Sequence, residues 1–338
     1  MINFFSIIKH SEIRLLGKHA STYCYNKPDI AEIEITNLCN LHCKWCSRGE
    51  VISRIGAGSM DIKNFKQIIP QLKGVKILHV FGVGEPLLYN SLIEAINYSA
   101  RFIKFISITT NATLLNRDMS DRLANSQLSE LAVSIDSTDR QIFEYIRETD
   151  FQRVIDNIKY FRSISSIPIR INSVVCKQNL ESLKAMPELA NELGVYYIQF
   201  NALHDSESSR KYNLTGDIPL DLLEEFINYV FPRCEQAGIG TNVRTLISRL
   251  KGVRGICEAP FTTLYINYLG YMTPCCSWTW ANLSNMLESR FWRTWNSKEI
   301  RQFRNRMLQR NYPEHCKTWC NAVSLQETTY DGCSNSRT

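Results

Sequence analysis

Ile33-Glu34-Ile35-Thr36-Asn37-Leu38-Cys39-Asn40-Leu41-His42-Cys43-Lys44-Trp45-Cys46 is the stretch on which the fold turns. A strand-like apolar run leads into a loop with three thiols at C-x3-C-x2-C spacing. A four-iron cluster takes one ligand per iron, usually a cysteine thiolate. Three cysteines on so short a loop can hold three irons and leave the fourth open. An open coordination position makes a metal site catalytic rather than structural. No fourth cysteine follows in Ser47-Arg48-Gly49. A zinc knuckle completed by His42 is the alternative.

Outward from this loop the pattern alternates. Runs rich in β-branched residues at 31–36, 75–81, 104–109, 130–135, 168–174 and 195–200 read as strands. Amphipathic stretches at 62–72, 91–101, 117–125, 139–146 with 152–164, and 181–193 read as helices. Strands alternating with helices predict an α/β fold with a parallel sheet covered by helices. Six such units fit a partial (β/α)6 barrel of TIM type. In such barrels the chemistry sits on loops at the C-terminal ends of the strands, which is where the cysteine loop falls.

Composition sets the outer bounds. At 338 residues, 44% hydrophobic and 21% charged, the chain can bury one large domain and a smaller one. The net charge of +6 is mild, and the Arg and Lys residues that crowd the sequence after Arg244 read as a solvated helix face. No RNA-binding motif accompanies them, so a nucleic-acid partner is not expected. Twelve cysteines in a secreted chain would suggest disulfides. Met1 to His10, however, does not read as a secretion signal, and no apolar run approaches the ~18 residues of a membrane span. The expectation is a cytoplasmic protein with metal-bound thiols.

The loop, the preceding strand and the aromatic Trp45 before the third cysteine together resemble the signature of the radical S-adenosylmethionine (radical SAM) superfamily. Phe81-Gly82-Val83-Gly84-Glu85-Pro86 resembles that family's Gly-Gly-Glu-Pro motif, with Val83 in place of the first glycine. Thr109-Thr110-Asn111-Ala112 resembles its Thr-Asn-Gly segment, and Ala112 in place of glycine suggests a backbone angle open to ordinary residues. Ser134-Ile135-Asp136 resembles the Ser-x-Asp segment near the SAM ribose, and Arg147 the arginine near the SAM carboxylate. A helix N-cap is the other reading of Ser134 and Asp136. The resemblance implies a SAM-binding [4Fe–4S] cluster on Cys39, Cys43 and Cys46. It also implies SAM contacts from Trp45, Gly84, Glu85, Asn111, Ser134, Arg147 and Gln199, and a flavodoxin- or ferredoxin-type electron donor.

The second half resembles the auxiliary-cluster module of these enzymes, called SPASM or, when shortened, twitch. The Gly270-x4-Cys275 spacing suits a β-hairpin that brings Cys257 and Cys275 together. One auxiliary [4Fe–4S] cluster on Cys257, Cys275, Cys316 and Cys320 is implied. Cys333 competes with Cys320, and zinc on the same four cysteines is the alternative. Cys276 is a candidate catalytic hydrogen-atom donor, while Cys24, Cys176 and Cys234 read as non-ligand thiols. The expected layout is a lead-in at 1–30, the barrel at 31–215, a helical linker at 216–250 and a cysteine-rich α+β domain at 251–338. The spacing of Cys257 and Cys275 and the tail Cys320-Asn321-Ala322-Val323-Ser324-Leu325-Gln326 are similar to those of aminocyclitol dehydrogenases. A small sugar-like substrate is therefore expected, with a ribosomally made precursor peptide as second choice. A zinc-binding scaffold without catalysis is the non-enzyme alternative.

Overall fold

The computed structural model describes residues 21–203, 206–246 and 257–319. Cys320, Cys333, the tail they sit in and residues 1–20 lie outside these residues. Ten strands among the described residues form one sheet in the order β10-β9-β8-β1-β2-β3-β4-β5-β6-β7. The barrel strands are β1 (Ile30–Ile33), β2 (Ile77–Val80), β3 (Phe105–Thr110), β4 (Glu130–Ser134), β5 (Ile169–Val175), β6 (Tyr197–Ala202) and β7 (Gly240–Thr241). Each pairs in parallel with the next. The other three are β8 (Thr263–Ile266), β9 (Tyr271–Thr273) and β10 (Ser284–Asn285).

β8 runs parallel to β1 and joins it directly, in register from Ile30 with Thr263 to Ile33 with Ile266. β9 and β10 then add on antiparallel. The C-terminal hairpin thus extends the barrel sheet on the side of the first cysteine loop. Its turn places Gly270 at φ 86°, a left-handed angle that a side chain would disfavour.

The six expected strands are present, as is the curved α/β architecture of a partial barrel. Helices begin where short polar side chains can cap them. Asp61, Asn116, Asp139 and Asp150 each accept a hydrogen bond from a first-turn N–H. Because Asp139 caps the Arg140–Arg147 helix, Ser134 and Asp136 are not the N-cap. Three features differ from the expected pattern. An unexpected helix, Arg48–Ile55, follows the cysteine loop. The two-residue β7 follows the Leu220–Gln236 helix, too short to show any periodicity. Within the expected α+β region at 251–338, the helical part is split in two, Phe291–Trp295 and Lys298–Leu308. They part at Asn296, whose side chain both accepts from the Cys24 N–H and donates to the Cys24 carbonyl.

The two faces of the sheet differ. Ala31, Ile33, Leu78, Val80, Ile106, Ile108, Leu131, Val133, Ile169, Ile171, Ile198 and Phe200 are fully buried against the helices. Their neighbours along each strand point into the lumen, and most are polar.

Candidate functional site at the barrel mouth

The cysteine loop leaves β1 and is fastened on both sides. At its entry Asn37 donates from its backbone to Gly58 O (3.1 Å) and from Nδ2 to Gly56 O (2.8 Å), and accepts from the Gly58 N–H. At its far side the Lys44 N–H donates to Ile146 O at 2.9 Å, and Lys44 pairs with Glu148 at 2.7 Å. The loop is therefore clamped between the 56–60 turn and the end of the Arg140–Arg147 helix.

Burial pushes all three thiols up, Cys43 to about 12. Cys39 and Cys43 are raised further by the charge of the neighbouring thiols, so the three lie within charge range of one another. Arg147 and Arg48 act in the opposite direction. Thiols like these keep their protons until a metal displaces them. His42 is exposed, and among the described residues no three His, Cys, Asp or Glu side chains could hold one metal ion. A zinc site draws its thiolates to about 2.3 Å from one centre. A cluster instead gives each thiolate its own iron, and three thiols within charge range of one another on one loop suit it.

Gly84 is needed for packing. A Cβ there would lie 2.4 Å from Leu38 O and 2.5 Å from Thr36 O, so only glycine lets the loop after β2 lie on the cysteine loop. Beside it, the Glu85 carboxylate is buried and accepts from Leu87 N–H (3.0 Å), Thr110 Oγ1 (2.6 Å) and Asn111 N–H (2.7 Å). It ties the loops after β2 and β3 together. Asn111 continues the chain of contacts: its Nδ2 donates to Asn40 at 3.1 Å and lies 3.9 Å from Cys39 Sγ. Ala112 has φ 59°. The expectation of an ordinary backbone angle there is thus overturned: alanine holds the left-handed conformation that glycine would take.

Asp136 is fully buried and ion-paired with Arg147 through both Nε and Nη2, while its Oδ1 accepts from Val174 N–H at 2.7 Å. Burial works against the Arg147 charge, but Asp136 and the cysteines outweigh it and raise its pKa. Held by Asp136, the Arg147 guanidinium acts on Cys43 and Cys46, lowering both, while Asp136 opposes it at Cys43. Ser134 and Gln199 line the lumen on either side of Asn172, in register across β4, β5 and β6. Trp45 lies against a small apolar cluster of Cys176, Leu203 and Leu214, and its carbonyl accepts from Ser206 Oγ at 3.2 Å.

In the C-terminal region the charges of Cys257, Cys276 and Cys316 all act on the half-buried Cys275, so these four cysteines lie within charge range of one another. Cys276 is the exposed one, and its charge also reaches Tyr265, a lumen-facing residue of β8. Cys176 and Cys234 are fully buried, as small apolar residues would be.

The lumen holds residues that motif matching missed. Glu32, His79, Ser107 and Glu130 stand side by side across β1, β2, β3 and β4. Burial alone pushes Glu32 up to about 7. Glu34, fully buried, also rises to about 7 through burial, despite contacts from Val83 N–H, Tyr268 N–H and Tyr265 Oη. Burial and the Arg170 charge hold His79 down at about 4, so it is neutral. Arg170 donates to Glu130 (2.9 Å), Asn172 (2.6 Å) and Gln199 (3.0 Å). The signal was present in the strict alternation Ile-Ala-Glu-Ile-Glu-Ile at 30–35.

Residues 33–190 match the model of the radical SAM superfamily, and residues 257–321 that of an iron–sulfur cluster-binding domain. The AdoMet-dependent heme synthase of Methanosarcina barkeri is 31% identical over 180 residues, covering 52% of this chain and 51% of that one. A probable GTP 3′,8-cyclase of Methanocaldococcus jannaschii is 28% identical over 260 residues, 72% and 83% of the two chains. The chain thus spans about half the length of the first of these relatives. Among solved structures, SuiB of Streptococcus suis bound to S-adenosylmethionine superposes with TM-score 0.69 at 21% identity, covering 87% of this chain and 71% of that one. Native anSMEcpe with bound AdoMet gives 0.67 at 16%, covering 89% and 92%. The chain belongs to the radical SAM superfamily, whose cofactors are S-adenosylmethionine and a [4Fe–4S] cluster that binds it, and carries a C-terminal iron–sulfur domain for an auxiliary cluster.

Proposed function

We propose that this protein is a radical SAM oxidoreductase that takes a hydrogen atom from a substrate in the barrel lumen, with a sugar-like or aminocyclitol alcohol as the substrate class. The carrying observation is that three half-buried thiols within charge range of one another sit on one clamped loop, at the end of a barrel strand whose inner face is polar. When bound, the cluster and SAM supply reductive cleavage to methionine and a 5′-deoxyadenosyl radical; the protein supplies placement and the exclusion of water.

Cys39, Cys43 and Cys46 would hold the first cluster. Asp136 holds Arg147 in place, and the Arg147 charge favours the thiolate form of Cys43 and Cys46, with Asp136 opposing it at Cys43. Glu85 and Asn111 lock three loops into one rim, so the backbone around Gly84 has one fixed position. Ser134, Gln199 and Trp45 would line the SAM side. Cys257, Cys275 and Cys316, with Cys320, would hold the auxiliary cluster, which would supply the acceptor for the second electron of an alcohol oxidation, the proton leaving to a base; Cys276 would give a hydrogen atom back to the substrate only if the net reaction were an epimerisation. The electron would come from a flavodoxin- or ferredoxin-type protein. No helix of the described residues is long and apolar enough to cross a membrane.

Modification of a precursor peptide is the second reading. It is favoured by SuiB bound to its precursor peptide SuiA, whose fold this chain follows over 94% of its length.

Anaerobic reconstitution followed by SAM and dithionite tests the main reading. The expected outcome is 5′-deoxyadenosine and about eight irons per chain, four for each cluster. In a Cys39→Ala/Cys43→Ala/Cys46→Ala variant about four irons remain and 5′-deoxyadenosine disappears. Two zincs and no sulfide in the purified protein would refute it.

A further inference from the structure

The Glu32 carboxylate lies deep inside the barrel, yet keeps a little accessible surface. Its place on the inner face of β1, in register with His79, turns it toward the lumen. Among the described residues no hydrogen bond or ion pair reaches it. His79, directly beside it on β2, is in the same state. One layer nearer the cysteine loop, Glu34 is fully buried, and its three contacts are long, 3.3–3.4 Å. Tyr265 closes the row from the auxiliary side, in register with Glu32.

Buried carboxylates are normally paired. Elsewhere in this lumen the rule is obeyed, since Glu130 has Arg170, Ser107 and Tyr196. Among the described residues no cation acts on Glu32, so a positively charged group of a ligand would complete the pattern there. An ammonium group has three donors and no acceptor, and two carboxylates with a neutral imidazole offer three acceptors.

We propose that Glu32, Glu34 and His79 form a subsite that binds a protonated amine of the substrate in the lumen, between the first cysteine loop and the auxiliary hairpin. The subsite deepens the proposed function and rests on it for the identity of the lumen as the substrate chamber. Glu32 and Glu34 take the charge, His79 accepts one N–H, and the carbon skeleton is held upward toward the rim. Burial, which pushes both carboxyls up to about 7, also strengthens the attraction of a bound cation relative to the surface. The amine can belong to an aminocyclitol or to a lysine side chain.

The test uses the anaerobically reconstituted, SAM-bound enzyme and equilibrium dialysis with four probes. These are 2-deoxystreptamine and its neutral counterpart scyllo-inositol, and a three-residue lysine peptide and its Nε-acetyl form. One amine probe is expected to bind at least about tenfold more tightly than its neutral partner, and which one binds identifies the source. Glu32→Gln, an isosteric change, should remove that preference; His79→Gln should reduce it. Equal binding of amine and neutral probes, binding of neither, or a preference that survives Glu32→Gln would overturn the subsite. Uncoupled formation of 5′-deoxyadenosine is read in the same samples. Its presence with no amine preference sinks the subsite alone, while its absence from the wild type sinks the reading beneath it.

Discussion

The outer and inner faces of the barrel sheet are written by alternate residues of the same strands, yet they follow opposite rules. On β5, Ile169, Ile171 and Val175 are fully buried against helices, while Arg170, Asn172 and Val174 between them keep accessible surface. Parallel sheets usually read as continuous apolar runs because both faces are covered, and barrel interiors are usually filled with branched side chains. Here the outer face obeys that rule and the inner face carries Glu, His, Arg, Asn and Gln. Packing holds the outer face. The inner face is held by polar pairs where it is finished, at Glu130–Arg170, and is left unfinished at Glu32 and His79.

The sharpest break in this contrast is Arg170→Met. It would leave Glu130 buried without its cation, and losing one member of a buried pair costs about 3–5 kcal/mol. Chemical denaturation should show that loss, and the added substitution Glu130→Met should recover much of it. If Arg170→Met were neutral, the polar face would be solvated rather than paired. Next in size is a test on adjacent residues. Ile171→Ala removes a fully buried outer side chain and should cost about 2–5 kcal/mol. Asn172→Ala, one residue on and facing inward, should cost about 1 kcal/mol while impairing turnover more than its neighbour does. Equal losses of stability would mean that the two faces are packed alike.

Acid and base separate the unfinished groups from the finished ones. Folded Glu32 and Glu34 hold their protons up to about pH 7, against an ordinary value of 4.5. Unfolding releases those protons, so their contribution to stability falls as pH rises from 4.5 to 7, and the penalty is complete above 7. His79 runs the other way: with a folded value of about 4 against 6.5, it supports the fold above 6.5 and loses that support as pH falls toward 4. Glu32→Gln should therefore stabilise the protein by roughly 2 kcal/mol above pH 7 and flatten the decline between 4.5 and 7, read as melting temperature against pH. A variant that is stabilised without ligand but impaired in binding one is expected where a site trades stability for function. An unchanged profile would mean that Glu32 is already paired.

Most of the scaffold was legible because period-two and 3.6-residue patterns report which face is covered. The helix Arg48–Ile55 was not, since three cysteines and a glycine break the pattern around it, and β7 has only two residues. At the site, spacing drew attention to Cys39, Cys43 and Cys46, and the family resemblance to Gly84 and Glu85. Neither revealed that Glu85 is consumed by three donors or that Asp136 holds Arg147, because those partners are 25, 26 and 11 residues away along the chain. Glu32 and Glu34 were legible in principle. They were passed over because a polar residue between isoleucines reads first as a solvated face, and only closure of the sheet turns that face inward.

The smallest expected effect lies at the rim where the two faces meet. Ala112 sits at φ 59°, an angle that disfavours any side chain with a Cβ by roughly 1–2 kcal/mol. It is held there because Thr110 Oγ1 accepts from its N–H at 3.0 Å and Asn157 Nδ2 donates to its carbonyl at 2.8 Å. Ala112→Gly relieves the strain, but glycine also loses more freedom on folding, about 0.4–1 kcal/mol. The net gain should be at most about 1 kcal/mol, a rise in melting temperature of a few degrees with activity unchanged. Destabilisation would mean that the entropy term outweighs the strain. The rim between Glu85 and Asn111 would then be held by these hydrogen bonds without appreciable tension, and the alanine would need no compensation from the Phe151–Ile164 helix that carries Asn157.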